Sequence, residues 1–596
     1  MQTNASNFDP VYLREKYRTE RDKRLKQEGV YQYLEAKGNL SHYREKDPYK
    51  EERIREPIER HVEVLIIGAG FGGILAGIHL KKKGIEDLCI VDSAGDFGGT
   101  WYWNRYPGAQ CDIESYIYMP MLEDMNYIPK EKYSFAPEIL KYSQSMASKY
   151  NLYEGALFHT EVRSAIWDES TKNWIVKTSK GDNISAKYIC SSIGTLNKPK
   201  LPNITGMSSF QGHSFHTSRW DYDYTGKSLE NLKDKKVAII GTGATGVQCI
   251  PHLANSVKEL FVFQRTPSSI DLRGNKPTDK EWASTLKAGW QKKRMNNFNV
   301  LVTGGDQEED LVDDGWTSIM KKLGAVLSDP SKLEEYKDLD PNQLNEMVEM
   351  ADFEKMEEIR GRVDSVVKDP RIAESLKPYY RQFCKRPCFH DEYLNAYNLK
   401  NVHLIDTKGK GVDKFNPSGI KFDDKNYDFD CIIFATGFEV GTDYSRRAEC
   451  TITGKDGLTL EKKWQEGVKT LHGFQTQGFP NLFFMGVVQG GLTANNTHML
   501  TEQSEHIASI IDYAKLKKTT EIEISIEAEN GWVEEMKKNA LANEEFLSSC
   551  TPGYYNDEGK KEINGLFSLQ YGGGPDSFFK ILKSWRNNGF KGINVD

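Results

Sequence analysis

Two apolar runs that lead straight into glycine turns predict an α/β fold carrying two dinucleotide-binding, Rossmann-like units. Val62 to Ile67 is almost continuously apolar and opens into Gly68-Ala69-Gly70-Phe71-Gly72-Gly73, and Val237 to Ile240 repeats the arrangement with Gly241-Thr242-Gly243-Ala244-Thr245-Gly246. A strand covered on both faces reads as an unbroken apolar run, and a glycine turn between such a strand and a helix marks a phosphate-binding βαβ unit. Length is the third observation: 596 residues exceed what one core holds and predict several domains.

Composition narrows the partners. A formal net charge of -7 gives no global basic surface, which argues against nucleic acid and for small ligands. Nine cysteines without a CxxC pair indicate neither a disulfide framework nor a dithiol redox centre, so an intracellular, cytoplasmic protein is expected. The N-terminus lacks the apolar core of a secretory signal, and no 18-residue apolar run is present, so no membrane span is expected. Residues 1–60 are highly charged, with Asp9-Pro10 as N-cap and first helical residue and Gly29 as the expected stop. They read as an added helical arm, either solvated or packed in a dimer.

In the first unit Gly68 permits the tight turn, Gly70 lets backbone approach a pyrophosphate, and Gly73 allows the helix to pack closely on the strand. Leu88 to Val91 forms the next strand, and its end carries Asp92, 24 residues after Gly68. A carboxylate there accepts from a ribose 2′-hydroxyl and repels a 2′-phosphate. The second unit continues through Val247 and Gln248 into a helix and closes with Leu260 to Phe263. The same count of 24 from Gly241 lands on Arg265, followed by Thr266. A guanidinium fork plus a hydroxyl suits a 2′-phosphate, so the second ligand is expected to be NADPH rather than NADH.

From about 272 to 380 the pattern turns helical and charged. Thr278 to Glu281 reads as a capping box, Asp340-Pro341 opens a long helix toward Val367, and Asp369-Pro370 opens another. The stretch ends at RQFCKRPCFHDEYLNAYN. Its Cys384, Cys388 and His390 are too few for a metal site without a fourth ligand, so no metal is expected. NVHLIDT (401–407) and the strand-like DCIIFATG (430–437) follow, then GFPNLFFMG and a glycine- and asparagine-rich loop from Gln489 to Met499.

Two longer motifs accompany the glycine turns. One is GGTWYWNRYPGAQCD from Gly98 to Asp112; the other is Phe210, Gly212, His216, Trp220 and Asp221 in the spacing FxGxxxHxxxWD. Together they resemble the two signatures of the flavin-dependent Baeyer–Villiger monooxygenases, over about residues 60–596. The resemblance implies FAD at the first unit, held by Gly68, Gly70, Gly73, Asp92, Gly99, Thr100, Trp101, Asp112, Tyr118 and Val162. It implies NADPH at the second, held by Gln110, Thr242, Gly243, Ala244, Thr245, Gly246, Val247, Gln248, Arg265, Thr266, Lys385 and Arg386. Lys385 is placed by it on the 2′-phosphate, with Arg386 over the flavin as catalytic residue and Asp112 holding Arg386. By the same resemblance Phe210, Gly212, His216, Trp220 and Asp221 are expected to take a part in coupling domain movements rather than in proton transfer.

The implied reaction uses NADPH to reduce FAD and a C4a-peroxyflavin as nucleophile. One atom of O2 enters beside a ketone carbonyl to give an ester or lactone, and the cofactor carries chemistry that would otherwise need a triad. CKRPCFHDEYL, CTPGYYN and the long arm resemble most the subgroup acting on large ketones such as cyclopentadecanone and cyclododecanone. Where many relatives place a tryptophan in the loop over NADP, the nearest aromatic here is Tyr554. The expected division is 1–60 arm, 61–203 FAD domain, 204–271 NADP domain, 272–378 helical insertion, 379–396 NADP domain again, and 397–596 FAD domain with C-terminal segment, in a monomer or homodimer. The alternatives are a flavin N- or S-monooxygenase, a dithiol reductase disfavoured by the missing CxxC, and a non-oxygenating flavin- and NADPH-binding protein.

Overall fold

The computed structural model describes residues 8–328, 340–486, 488–491, 493–539, 544–560 and 570–595. Two largely parallel sheets organise the chain. In the first, β1 (Glu59–Ile67) is followed by α1 (Phe71–Lys82) and by β2 (Leu88–Val91), which pairs parallel to β1 with Val64 opposite Leu88. Asn183–Ser191 flanks β1 on its other side and carries Leu482–Phe484 along its later half. An antiparallel ribbon, Val162–Asp168 and Asn173–Thr178, extends the sheet to Thr451–Thr453.

The second sheet is all parallel, in the order Val402–Asp406, β4 (Glu259–Gln264), β3 (Lys236–Ile240), Cys431–Phe434 and His213–His216, with α2 (Ala244–Ala254) between β3 and β4. This corrects one expectation. The sequence division places residues from 397 on in the flavin part, yet Val402–Asp406 and Cys431–Phe434 bond to β4 and β3. The buried apolar character of these strands fits either sheet. Only the hydrogen-bond register decides between them.

The region after Asp271 is helical, as expected: Lys280–Thr285, Trp290–Leu301, Gly315–Ser328, Pro341–Val366 and Pro370–Leu376. Asp340 and Gln343 form a capping box at the long helix. At the short first helix the cap is Asp279, which accepts from Glu281 N and Trp282 N, rather than Thr278.

The arm is not a solvated extension. Its first helix, Pro10–Asp22, is capped by Asp9 and ends at Asp22 instead of reaching Gly29. Leu13 and Tyr17 then pack on Phe353 of the long insertion helix. Further along, Tyr33–Leu34 pairs antiparallel with Leu201–Pro202, and Tyr43 shares a hydrogen bond of 2.8 Å with Ser214.

Cys384 and Cys550 form a disulfide, against the expectation of none. The two lie 166 residues apart, a separation that carries no spacing signal, and only the folded chain brings them together. No described helix is long and apolar enough to cross a membrane.

Candidate active site

Both glycine turns open into one cavity of about 1440 Å³. Gly68 has φ +107, and a Cβ there would lie 2.3 Å from the Ser192 carbonyl oxygen; a Cβ on Gly73 would meet the Gly68 oxygen at 1.8 Å. These two glycines therefore set the turn and the seating of α1 from beneath, and of them only Gly68 reaches the cavity wall. Gly70 and Gly99 do reach it, their backbones packed together so closely that a Cβ on Gly99 would come within 2.5 Å of Gly70 Cα. Asp92 also faces the cavity, its carboxylate accepting from Ala69 N at 2.5 Å and Ala94 N at 2.7 Å. Burial pushes this carboxyl above its ordinary range, and those backbone donors pull it back.

Thr100, Trp101 and Tyr118 complete this end of the wall, with Trp101 Nε1 donating to Tyr118 Oη at 2.9 Å. Val162 does not line the cavity. It begins a strand opposite Thr178 with its side chain buried, so the placing of Val162 on the ligand receives no support from the cavity wall.

The second turn repeats the geometry. Gly241 has φ +111 with a Cβ position 2.4 Å from the Ala435 oxygen, and a Cβ on Gly246 would meet the Gly241 oxygen at 2.4 Å, while Gly243 has open space before it. Thr242, Gly243, Ala244, Thr245 and Gln248 line the cavity; Gly246 and Val247 lie behind them in the packing of α2.

Arg265 and Thr266 stand at the end of β4, as expected, but their partners come from far away. Arg265 Nη1 donates to Gln32 Oε1 at 3.0 Å and Tyr33 Oη at 3.1 Å, and Nη2 lies 3.5 Å from Glu558. Arg24 donates to Thr266 Oγ1 at 3.0 Å. Glu558 also pairs with Lys200 at 2.7 Å, and Lys200 sits 3.9 Å above the Tyr33 ring. Lys385 joins this group on the wall, its ammonium pushed down to about 8 by burial and then by Arg265. Gln32, Tyr33, Lys200 and Glu558 were not singled out in the sequence, where no motif marks them.

Between the two turns lies a knot of charge. Asp112 accepts from Arg273 Nη2 at 2.5 Å and faces Arg386 Nε at 3.4 Å, so the expected closeness of Asp112 and Arg386 is found. Arg273, also missed in the sequence, is buried; it donates to Gln110 Oε1 and the Cys111 carbonyl, both at 2.8 Å, and to the Phe389 carbonyl. Gln248 of α2 donates to the Gln110 carbonyl at 2.9 Å and toward Asp112 at 3.3 Å. Trp316, from the helical region, donates to the Asp112 carbonyl at 3.0 Å and holds its ring 5.5 Å from the Arg386 guanidinium. Burial opposes the charge on Arg386, but Asp112, with Tyr554 and Tyr555, outweighs it and holds the guanidinium above its ordinary value. Tyr554 lines the same cavity.

The FxGxxxHxxxWD residues lie off the cavity. His216 ends the edge strand of the second sheet, buried, with Nδ1 accepting from Ser218 N at 3.2 Å, and burial pushes its imidazole down to about 3. Trp220 is fully buried, Asp221 caps the helix Tyr222–Thr225, and Phe210 and Gly212 lead into the strand. Arg219 between them donates to the Arg44 carbonyl of the arm at 2.9 Å and covers the Trp103 ring at 3.5 Å.

Two glycine turns on one cavity, one strand ending in a carboxylate and the other in a guanidinium, with a charged pair between them, have the form of a two-nucleotide oxidoreductase. Residues 65–282 match the family described as Pyridine nucleotide-disulphide oxidoreductase. Over its whole length the chain is similar to neopentalenolactone D synthase of Streptomyces avermitilis, 48% identical over 96% of this chain and 97% of that one. It is also similar to the Baeyer–Villiger monooxygenase ATR8 of Stachybotrys chlorohalonatus, 47% identical over 99% and 95%. Among solved structures, the polycyclic ketone monooxygenase of Thermothelomyces thermophila superposes with a TM-score of 0.89 at 36% identity, covering 98% and 99%. The chain belongs to the Baeyer–Villiger monooxygenases. It is an NADPH- and FAD-dependent enzyme that inserts one oxygen atom of O2 beside a ketone carbonyl to give an ester or lactone. The residues present fit both cofactors: at each turn a side chain on the first or last glycine would collide with backbone, and the cavity walls change from carboxylate to clustered cations between the two ends.

Proposed function

We propose that Arg386 is the catalytic residue, that Asp112 is its positioning partner, and that the substrates are bulky or macrocyclic ketones. The observation that carries this reading is the Asp112–Arg386 pair standing between the two glycine turns on a single cavity. When bound, FAD and NADPH supply the reducing equivalents and the activation of O2. The chain contributes charge, alignment and dryness. Arg386 remains cationic at any working pH and offers a planar fork to developing negative charge beside the ketone oxygen. Asp112 tethers it, and Arg273 fixes Asp112 in turn, so the guanidinium needs no reorganisation as charge moves. Trp316, Met320, Leu323 and Tyr554 make the adjoining wall, which would exclude water once cofactors and ketone are seated.

At the nucleotide ends, Gly68, Gly70, Gly99, Thr100 and Asp92 hold FAD, with Trp101 and Tyr118 beside its ring system. Thr242 to Thr245, Gln110 and Gln248 hold NADPH, and Arg265, Thr266 and Lys385 take its 2′-phosphate. Phe210, Gly212, His216, Trp220 and Asp221 form a packed joint between the sheets rather than a proton path, in keeping with the low basicity of the buried His216. The size of the substrate is supported by the names of two similar proteins, a polycyclic ketone monooxygenase and a lactone synthase.

The test is aerobic turnover of the yellow holoenzyme with NADPH and cyclic ketones from six-membered to polycyclic and macrocyclic, reading product mass. A gain of one oxygen as lactone, fastest for the bulky ketones and lost in Arg386→Ala, is the expected result. Equal rates for cyclohexanone and bulky ketones would remove the size reading. Full lactone formation by Arg386→Ala would remove Arg386 from the chemistry.

A further inference from the structure

Glu558 is only 3% exposed, in the middle of the cationic end of the cavity. Its two oxygens are divided between Lys200 at 2.7 Å and Arg265 at 3.5 Å. Lys385 and Lys26 line the same end. Burial opposes its charge, and Lys200 and Arg265 outweigh burial to bring the carboxyl down to about 2. The carboxylate is therefore present at every working pH. Its backbone is unusual as well: Asp557 and Glu558 both have positive φ, +48 and +60, ahead of Gly559 at +86. A left-handed conformation in residues other than glycine costs free energy that the surrounding contacts must offset.

We propose that the Glu558 carboxylate is an internal stand-in for the 2′-phosphate of NADP, filling the cationic subsite when the cofactor is out and yielding it when the cofactor enters. This rests on the reading of Arg265, Thr266 and Lys385 as the 2′-phosphate site. Half-buried Arg265, Lys200 and Lys385, clustered without a counter-ion, would repel one another, and the carboxylate relieves this in the free enzyme. A phosphate dianion has the charge to displace a carboxylate from that place; a bare ribose hydroxyl has not. Glu558 thus makes the subsite selective by exclusion: a ligand without a 2′-phosphate leaves the carboxylate seated, and one with it gains the cations only by moving the 550s segment. Glu558 is a specificity-determining residue, supplied by the C-terminal part of the chain rather than by the nucleotide unit.

The experiment titrates FAD-loaded wild-type, Glu558→Gln and Arg265→Gln enzyme with adenosine 2′,5′-bisphosphate and with 5′-AMP, probes that differ only in the 2′-phosphate. Glu558→Gln is expected to bind the bisphosphate about tenfold more tightly, the scale of one charge-assisted interaction, with 5′-AMP affinity unchanged. Unchanged or weaker bisphosphate binding by Glu558→Gln would overturn the proposal and make Glu558 a tie that orients Arg265 and Lys200. Arg265→Gln tests the site reading separately: if it weakens both probes equally, the 2′-phosphate does not bind at Arg265 and both readings fall. In the wild-type enzyme, amide exchange across residues 550–560 should rise with the bisphosphate and not with 5′-AMP. The same response to both probes would also overturn the displacement, independently of how well any variant folds.

Discussion

At the end of β2, Asp92 is held by two amides, those of Ala69 and Ala94, that lie within 23 residues of it. At the matching end of β4, Arg265 is held by Gln32, Tyr33 and Glu558, the last of them 293 residues away. Strand, turn and helix follow one plan, with first glycines at φ +107 and +111 and backbone oxygens in the way of a side chain on the first or last glycine of each turn. The two units thus share a frame and differ in who completes the site. A carboxylate that accepts from ribose hydroxyls can be anchored by nearby backbone donors. A cluster of half-buried cations needs a counter-charge, and the backbone of one βαβ unit carries no full negative charge to supply it. The second site is therefore assembled by both ends of the chain, which makes it responsive to how those ends are seated.

The largest effects should come from breaking the shared frame, one unit at a time. Gly68→Ala brings a Cβ to 2.3 Å of the Ser192 oxygen at a left-handed φ, and Gly241→Ala does the same against Ala435 at 2.4 Å. Gly68→Ala is expected to yield protein without bound FAD. Gly241→Ala is expected to stay yellow and to lose NADPH-driven flavin reduction. Colour and anaerobic reduction read the two apart, and loss of FAD from Gly241→Ala would show that the units do not act separately. Next comes the seam between them: Arg386→Ala should lower kcat for ketone oxygenation by roughly 10²–10³ while leaving FAD content intact. Arg386→Lys should not restore it, because a point charge lacks the planar fork.

The frame was legible in the sequence because its causes are local. Gly68 and Gly241 each follow an apolar strand, and equal counts to Asp92 and Arg265 distinguish the units without any structure. The completing residues were not legible for the opposite reason. Arg273 sits in the unremarkable run LRG, Lys200 among linker lysines, Glu558 in a polar tail, and Tyr33 in an arm read as solvated or dimer-packing. Each acquires its meaning from a contact more than 100 residues away. Sheet membership failed similarly: DCIIFATG announces a buried strand but not its neighbour, and the register with β3 alone puts it in the second sheet. Cys384 and Cys550 offered no spacing by which to pair them.

Smaller perturbations at the second site sharpen the contrast. Arg265→Gln should raise the KM for NADPH by roughly 10–100-fold with little change for NADH, the scale of a charge-assisted pair to phosphate. Lys385 gives a pH signature. Its pKa of about 8 lies below the ordinary 10.5, so between those values the unfolded chain binds more protons and the contribution of Lys385 to stability rises with pH. Cofactor affinity runs the other way. A 2′-phosphate favours the charged form, so NADP binding should weaken by about tenfold from pH 7 to 9, and Lys385→Met should flatten that profile. Nothing comparable is expected of FAD, since among the described residues the wall at the first turn holds no such lysine.

The smallest effect tests whether the arm belongs to the second site at all. Tyr33 Oη accepts from Arg265 at 3.1 Å, and its ring carries Lys200 at 3.9 Å. Tyr33→Phe keeps the ring and the cation above it and removes only the acceptor. A neutral acceptor of this kind contributes about 0.5–1 kcal/mol, so the KM for NADPH should rise roughly two- to fivefold. Tyr33→Ala removes the ring as well and should cost more, by the cation–π share of about 0.5–1 kcal/mol. FAD retention and the NADH KM should not move in either variant. If Tyr33→Phe and Tyr33→Ala both leave the NADPH KM unchanged, the arm merely covers the second unit, and its site would be as self-contained as the first. If FAD is lost instead, the arm supports the whole fold, and the division into a locally built and a remotely built site does not hold.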